Sequence, residues 1–241
     1  MADGGRAGTY RGARVDRPAG VGATHAVLPP PLRLWLGLVG VLAALPAAAL
    51  GALYADDSRP GTLDARIGSA TEGARQPWRG AALATDFLGE PLGAAVLVAA
   101  TVLGCLLLRR PRAAVLVVVG AGLAVGATKL LKPLVGRTIH GDGNLSYPSG
   151  HTAFLTALAL VVALTATGRW GLGRTAGTVL VLASASVAGA AMGWAQVVLG
   201  AHYPTDALGG WCTALVAVPA TAWLVDGVAD RLAGGGRGKH L

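Results

Sequence analysis

The chain has 241 residues, 53% of them hydrophobic and 13% charged, with a mean hydropathy of +0.56 and a formal net charge of +8. Soluble domains carry roughly 25% charged residues, so this chain has too little polar material to coat a globule in water, and its Ala, Val, Leu and Gly suit closely packed membrane helices better than sheets. The Lys and Arg residues form no tract longer than Arg109-Arg110-Pro111-Arg112, which argues against a nucleic-acid partner, while Cys105 and Cys212 stand singly in apolar runs and write neither a disulfide framework nor a cysteine metal site.

Residues 1–31 are rich in Gly, Ala and Arg, lack apolar periodicity and end in Pro29-Pro30-Pro31, the composition of a disordered tail. Leu34–Ala55 is an apolar run of the ~20 residues that cross a bilayer core. Further runs at Pro91–Leu108, Ala113–Thr128, Thr152–Thr167, Ala176–Leu199 and Ala207–Val225 bring the count to six. The fold class is therefore all-α, a six-span transmembrane bundle over residues 32–228, with a short basic tail at 229–241.

An even number of spans puts both ends on one face. Thirteen basic residues fall on the face that carries the ends, against seven on the other, where acidic residues offset them. The positive-inside rule makes the first face cytoplasmic and the protein a multi-pass plasma-membrane protein. The longest outer loop, 56–80, places Leu63, Ile67 and Trp78 among charges, a pattern that suits a short amphipathic helix and a loosely ordered loop equally well. Trp194 and Trp211, near the outer ends of the fifth and sixth spans, fit an aromatic belt.

Polar groups at membrane depth are costly, so where they gather is informative. They gather at the outer ends of three spans: Lys129, Lys132 and Arg137 after the third, Ser149-Gly150-His151 before the fourth, and His202-Tyr203-Pro204-Thr205-Asp206 before the sixth. His202 and Asp206 are four apart, with Pro204 suited to a first helical turn, so the carboxylate can reach the imidazole and fix its tautomer. The same pair also suits a plain helix cap, and the spacing leaves both readings open. Ser149 precedes an apolar helix whose first backbone N–H groups make an anion cradle, or a simple N-cap. Lys132 and Arg137 flank Pro133 and Gly136, a break at which both can turn toward one oxyanion.

The runs Tyr147-Pro148-Ser149-Gly150-His151-Thr152 and Gly200-Ala201-His202-Tyr203-Pro204-Thr205-Asp206 resemble the motifs of the type 2 phosphatidic acid phosphatase superfamily, membrane lipid phosphate phosphatases related to vanadium haloperoxidases. The resemblance spans roughly residues 91–225 and implies a metal-independent phosphatase without cofactor, acting at the outer face. It makes His202 the nucleophile, Asp206 its orienting carboxylate and His151 the general acid. Ser149, the Gly150 N–H and Lys132 would hold phosphate oxygens.

Two motif positions depart from the family. The family's first motif runs Lys, six residues, Arg, Pro, which from Lys132 falls on Ile139 and His140; its third opens Ser-Arg, where this chain has Ala195 and Gln196. Arg137, His140 and Gln196 are the residues available to replace the two guanidinium groups. The implied partners are a lipid phosphate, of polyprenyl type in preference to phosphatidic acid, and membrane lipids; nothing indicates an oligomer. Two other functions fit the same residues: a lipid-phosphate binding or transport protein that kept the cradle without turnover, and a metallohydrolase built on His140, Asp142, His151, His202 and Asp206.

Overall fold

The computed structural model describes residues 26–235. After one 3-10 turn at Pro30–Leu32 come eight helices: α1 Arg33–Leu53, α2 Thr62–Thr71, α3 Trp78–Phe87, α4 Pro91–Leu107, α5 Pro111–Val135, α6 Gly150–Trp170, α7 Arg174–Val198 and α8 Pro204–Gly235. Among the described residues there is no strand; an isolated bridge pairs Thr138 with Leu145 in the loop after α5. Local chemistry sets the helix ends. Pro91 and Pro111 occupy first-turn positions, where a missing N–H costs nothing. Ser149 caps α6 by accepting the Thr152 N–H, and Gly136 closes α5 at φ +71°, where a Cβ would also run into the Asp56 carboxylate.

Helices α1, α5, α6, α7 and α8 are each long and apolar enough to cross a membrane, and α3 with α4, bent by 62° at their junction, pass the same test together. The six expected runs thus correspond to six helices or helix pairs. Helix α8 is the centre: it packs against α1, α5, α6 and α7 and is touched by α2 at its start, while α4 leans on α5 and α3 on α7. The interior is built from small and aliphatic residues such as Ala114, Ala121, Ala157, Leu160, Ala185, Ala214 and Val218, which let helices approach closely where lipid provides no hydrophobic drive between them. The outward faces are apolar too, with Leu34, Val41, Leu45, Val118, Val179, Val187 and Trp223 exposed on different helices. In water that distribution would aggregate; in a bilayer it is the lipid contact.

The opposite end of the bundle from the polar loops is closed by Asp226 of α8. Its carboxylate accepts the backbone N–H groups of Val27 (2.9 Å) and Leu28 (3.0 Å), and Arg112 bridges it to Asp230. The tail expected to run through residue 31 is therefore packed from Val27 onward, because Val27 and Leu28 bury their side chains and their N–H groups find a carboxylate. Residues 1–25 of that tail lie outside the described residues. At the other end of the chain α8 continues through Gly235, past the expected boundary at 228, and residues 236–241 of the expected basic tail lie outside the described residues.

Candidate active site

Helix termini bring the polar residues to one end of the bundle. The end of α5, the start of α6 and the start of α8 converge there, and α8 comes close because two of its residues lack side chains: a Cβ at Gly209 would meet the Tyr147 ring and one at Gly210 the Ser149 carbonyl. The Ser149 N–H donates to the Asp206 carbonyl across that contact at 2.9 Å. The loop carrying His202 is held from the other side, since the Ala201 N–H (2.8 Å) and His202 N–H (3.4 Å) both donate to the Gln196 carbonyl at the end of α7.

Within this frame His202 Nδ1 lies 3.4 Å from Asp206 Oδ2, and the His202 side chain is only 9% exposed. Burial pushes the imidazole below its ordinary pKa; the hydrogen bond to Asp206 and its charge oppose that shift, and Lys132 and His151 add to it. The net direction favours a neutral ring at pH 7, with Nδ1 engaged and Nε2 carrying the free lone pair. Asp206 is itself completely buried; besides His202 it accepts the Tyr203 N–H (3.0 Å) on Oδ2 and Arg137 Nη1 (2.7 Å) on Oδ1.

His151 stands in the first turn of α6 beside two carboxylates, with Nε2 3.9 Å from Asp86 and 3.7 Å from Glu90. These three residues offer ligand atoms within 4.8 Å of one another, the group among the described residues with spacing suited to a cation. The different set expected for a metallohydrolase is not drawn together in that way. Ser149 is fully buried and takes hydrogen bonds from the Thr152 N–H and hydroxyl, so the expected cap is present. Lys132, half-buried in the last turn of α5, donates Nζ to the Leu145 carbonyl at 2.7 Å. Its charge lies near enough to His202 to act on it.

Three residues expected to contact substrate are engaged elsewhere. Arg137 is completely buried, donating Nη1 to Thr205 (2.6 Å) and Asp206 (2.7 Å) and Nη2 to Asp64 (2.7 Å), with its guanidinium between the Tyr54 and Tyr203 rings at 3.9 and 4.3 Å. Gln196 is buried and donates its amide to Asp86. His140 is exposed and its Nε2 donates to the Gly200 carbonyl at 2.6 Å. Ile139, at the family's arginine position, is an ordinary buried apolar residue.

Asp64 and Thr205 were not singled out by sequence patterning, nor were Asp86 and Glu90, which stand just ahead of α4 and face His151. Asp64 gave no signal because it lies in the 56–80 loop among other charges, 73 residues from Arg137 and 141 from Thr205, the partners it meets in the fold. Trp211, expected in an aromatic belt, turns inward and donates its indole N–H to the Ala185 carbonyl of α7, whereas Trp194 stacks edge-on against Trp78 of α3.

A family model described as the PAP2 superfamily matches residues 34–228. Among solved structures, the chain is similar to a transmembrane PAP2-type phosphatidylglycerolphosphate phosphatase from Bacillus subtilis, at 22% identity and a TM-score of 0.58, over 83% of this chain and 96% of that one. No curated protein sequence matches.

Proposed function

The chain belongs to the PAP2 superfamily, and from that premise we propose that it is a multi-pass membrane phosphatase that removes phosphate from a lipid-linked phosphate or diphosphate through a phosphohistidine intermediate. The observation that carries the reading is the His202–Asp206 pair: a buried imidazole whose Nδ1 faces a carboxylate at 3.4 Å and whose Nε2 is free. In the first step His202 Nε2 attacks phosphorus, the bond from phosphorus to the leaving oxygen breaks, and His151 gives that oxygen a proton. In the second step water attacks the phosphohistidine, His151 takes the water proton, and phosphate departs with His202 restored.

Lys132, the Ser149 hydroxyl and the Gly150 N–H stabilise the charge on the transferring phosphoryl group, as fixed donors at a helix N-terminus do. No metal is required by this sequence of steps. A lipid substrate fits the surroundings: an apolar groove of about 670 Å³ between α4, α6 and α7 is lined by residues including Leu88, Leu97, Leu155, Leu158 and Val162, and Leu155 stands one helical turn from His151. A chain of isoprene units or an acyl tail can stay there while its phosphate enters the site. We favour polyprenyl substrates and place the site on the outer face of the plasma membrane, the orientation that the distribution of basic residues supports.

The test is phosphate release by the purified full-length protein from farnesyl phosphate, farnesyl diphosphate, phosphatidic acid and phosphatidylglycerol phosphate, with and without EDTA and with a His202→Ala control. Release that survives EDTA and vanishes in the control supports the proposal and ranks the substrates. Release abolished by EDTA turns the reading toward a metal enzyme using Asp86, Glu90 and His151. Silence across the panel in folded protein turns it toward lipid-phosphate binding or transport, for which the uncharged Ile139 and Gln196 already speak.

A further inference from the structure

We propose that Asp64, on the outer helix α2, is a positioning residue for this reaction, acting through Arg137 and Thr205 on the Asp206 carboxylate that orients His202. The inference rests on the phosphohistidine reading of the site. It starts from the position of Arg137, which the sequence offers as a phosphate ligand and the fold seals away. Both terminal nitrogens are bonded to protein oxygens, two tyrosine rings stack against the guanidinium, and the side chain has no exposed surface through which a substrate could reach it.

The network joins four side chains and leaves the buried Arg137 Nε as the one guanidinium nitrogen without a partner. Asp64 Oδ2 accepts Arg137 Nη2 at 2.7 Å and the Thr205 hydroxyl at 2.9 Å, while Oδ1 accepts the Thr205 N–H at 3.0 Å. Thr205 in turn accepts Arg137 Nη1 at 2.6 Å, and the same Nη1 holds Asp206 Oδ1 at 2.7 Å. The side chains of Asp64, Arg137 and Asp206 are all fully shielded. Asp206 is therefore held on Oδ1 by a charged contact shorter than the 3.4 Å that separates its Oδ2 from His202. The direction of the carboxylate is set by Arg137 and by the Tyr203 N–H, and His202 is presented with a carboxylate already fixed.

Charge explains why the second carboxylate belongs there. A lone arginine against Asp206 would neutralise it and leave His202 without the counter-charge that favours its Nδ1–H form and supports positive charge as phosphorus is attacked. Asp64 shares the arginine, so the three groups together carry one negative charge and Asp206 keeps a share for the imidazole. The arrangement also explains why α2 lies over the start of α8: the helix delivers the second carboxylate into the site's foundation. Burying three ionised groups is costly unless every partner is present, which fits a device kept for orientation rather than for stability.

The test compares wild type with Asp64→Asn and Thr205→Val, alone and combined with Asp206→Asn, in full-length protein in detergent micelles with farnesyl phosphate as probe, each rate normalised to the folded fraction from size-exclusion chromatography. Thr205→Val removes the bridging hydroxyl without altering charge, and it carries the test if Asp64→Asn does not fold. The expected result is a kcat reduced at least ~10-fold with KM within about twofold, and less than a further twofold loss when either change is added to Asp206→Asn, because both act through that carboxylate. Histidine 15N spectra supply a readout independent of turnover: wild type holds His202 as the Nδ1–H tautomer, and each variant returns it toward a mixture. Losses that multiply with Asp206→Asn, a rise in KM at constant kcat, or an unchanged tautomer would overturn the proposal. A wild type that releases no phosphate yet shows the tautomer coupling would contradict the phosphatase reading and leave the brace standing.

Discussion

In the proposed mechanism two demands that usually conflict meet at His202, since a nucleophilic imidazole must be neutral but becomes positively charged as it attacks. Burial meets the first demand by lowering its pKa, and Asp206 meets the second by supplying a counter-charge on Nδ1. Removing the orienting carboxylate by Asp206→Asn should slow phosphate release by roughly 10²- to 10⁴-fold while leaving a residual rate, whereas His202→Ala should leave none above background. The same shift predicts a pH dependence. Protonation of His202 removes the attacking lone pair, so the acid limb of the kcat/KM profile should fall at a pH below the ~6.5 of an ordinary histidine; a limb at or above that value would show that the titrating group lies elsewhere. At this scale the sequence was only partly legible. The four-residue spacing of His202 and Asp206 and the Ser-Gly-His run pointed to real neighbours, because both are local and straddle the start of a helix. Arg137 did not announce its engagement, because its partners come from Asp64 and Thr205, distant in the chain, and no spacing rule reports a long-range pair.

Elements place these residues, and the closest approach among them is that of α8 to the loop ahead of α6. Gly210 permits it: its missing side chain leaves room for the Ser149 carbonyl, and the neighbouring backbone bond from Ser149 to Asp206 ties the two motif segments together. Gly210→Ala should therefore cost about 1–3 kcal/mol of stability, read as a lowered Tm, and reduce kcat at temperatures where the protein remains folded. An unchanged Tm and rate would mean that the approach is looser than described. All six apolar runs are helical, because long apolar stretches leave a backbone no alternative to internal hydrogen bonding in lipid; four keep within a few residues of their expected bounds, whereas α5 and α8 run on to Val135 and Gly235, well past Thr128 and Val225. The loop at 56–80 was legible only as two alternatives. It folds into α2 and the start of α3, and what selects the helix there is not amphipathicity alone: Asp64 in the first turn of α2 is fastened to Arg137 and Thr205, a tertiary contact that hydropathy does not encode.

For the whole molecule, the polar residues are divided between two ends, with the candidate site at one and the Asp226–Arg112–Asp230 cluster at the other. The proposed orientation puts the site outside. Both native cysteines are buried, so single introduced cysteines report sidedness cleanly. In intact cells an impermeant maleimide should label Asp142→Cys, exposed on the loop beside the site, and should reach Gly173→Cys, between α6 and α7, only after the membrane is opened; the reverse pattern would invert the orientation. In the proposed reaction the phosphoryl group passes through His202. The most direct test is to quench turnover of 32P-labelled farnesyl phosphate in alkali and map the labelled residue. The expected label is stable to alkali, labile to acid, carried by His202 and absent from His202→Ala. Turnover at the wild-type rate in His202→Ala, or label on another residue, would contradict this route.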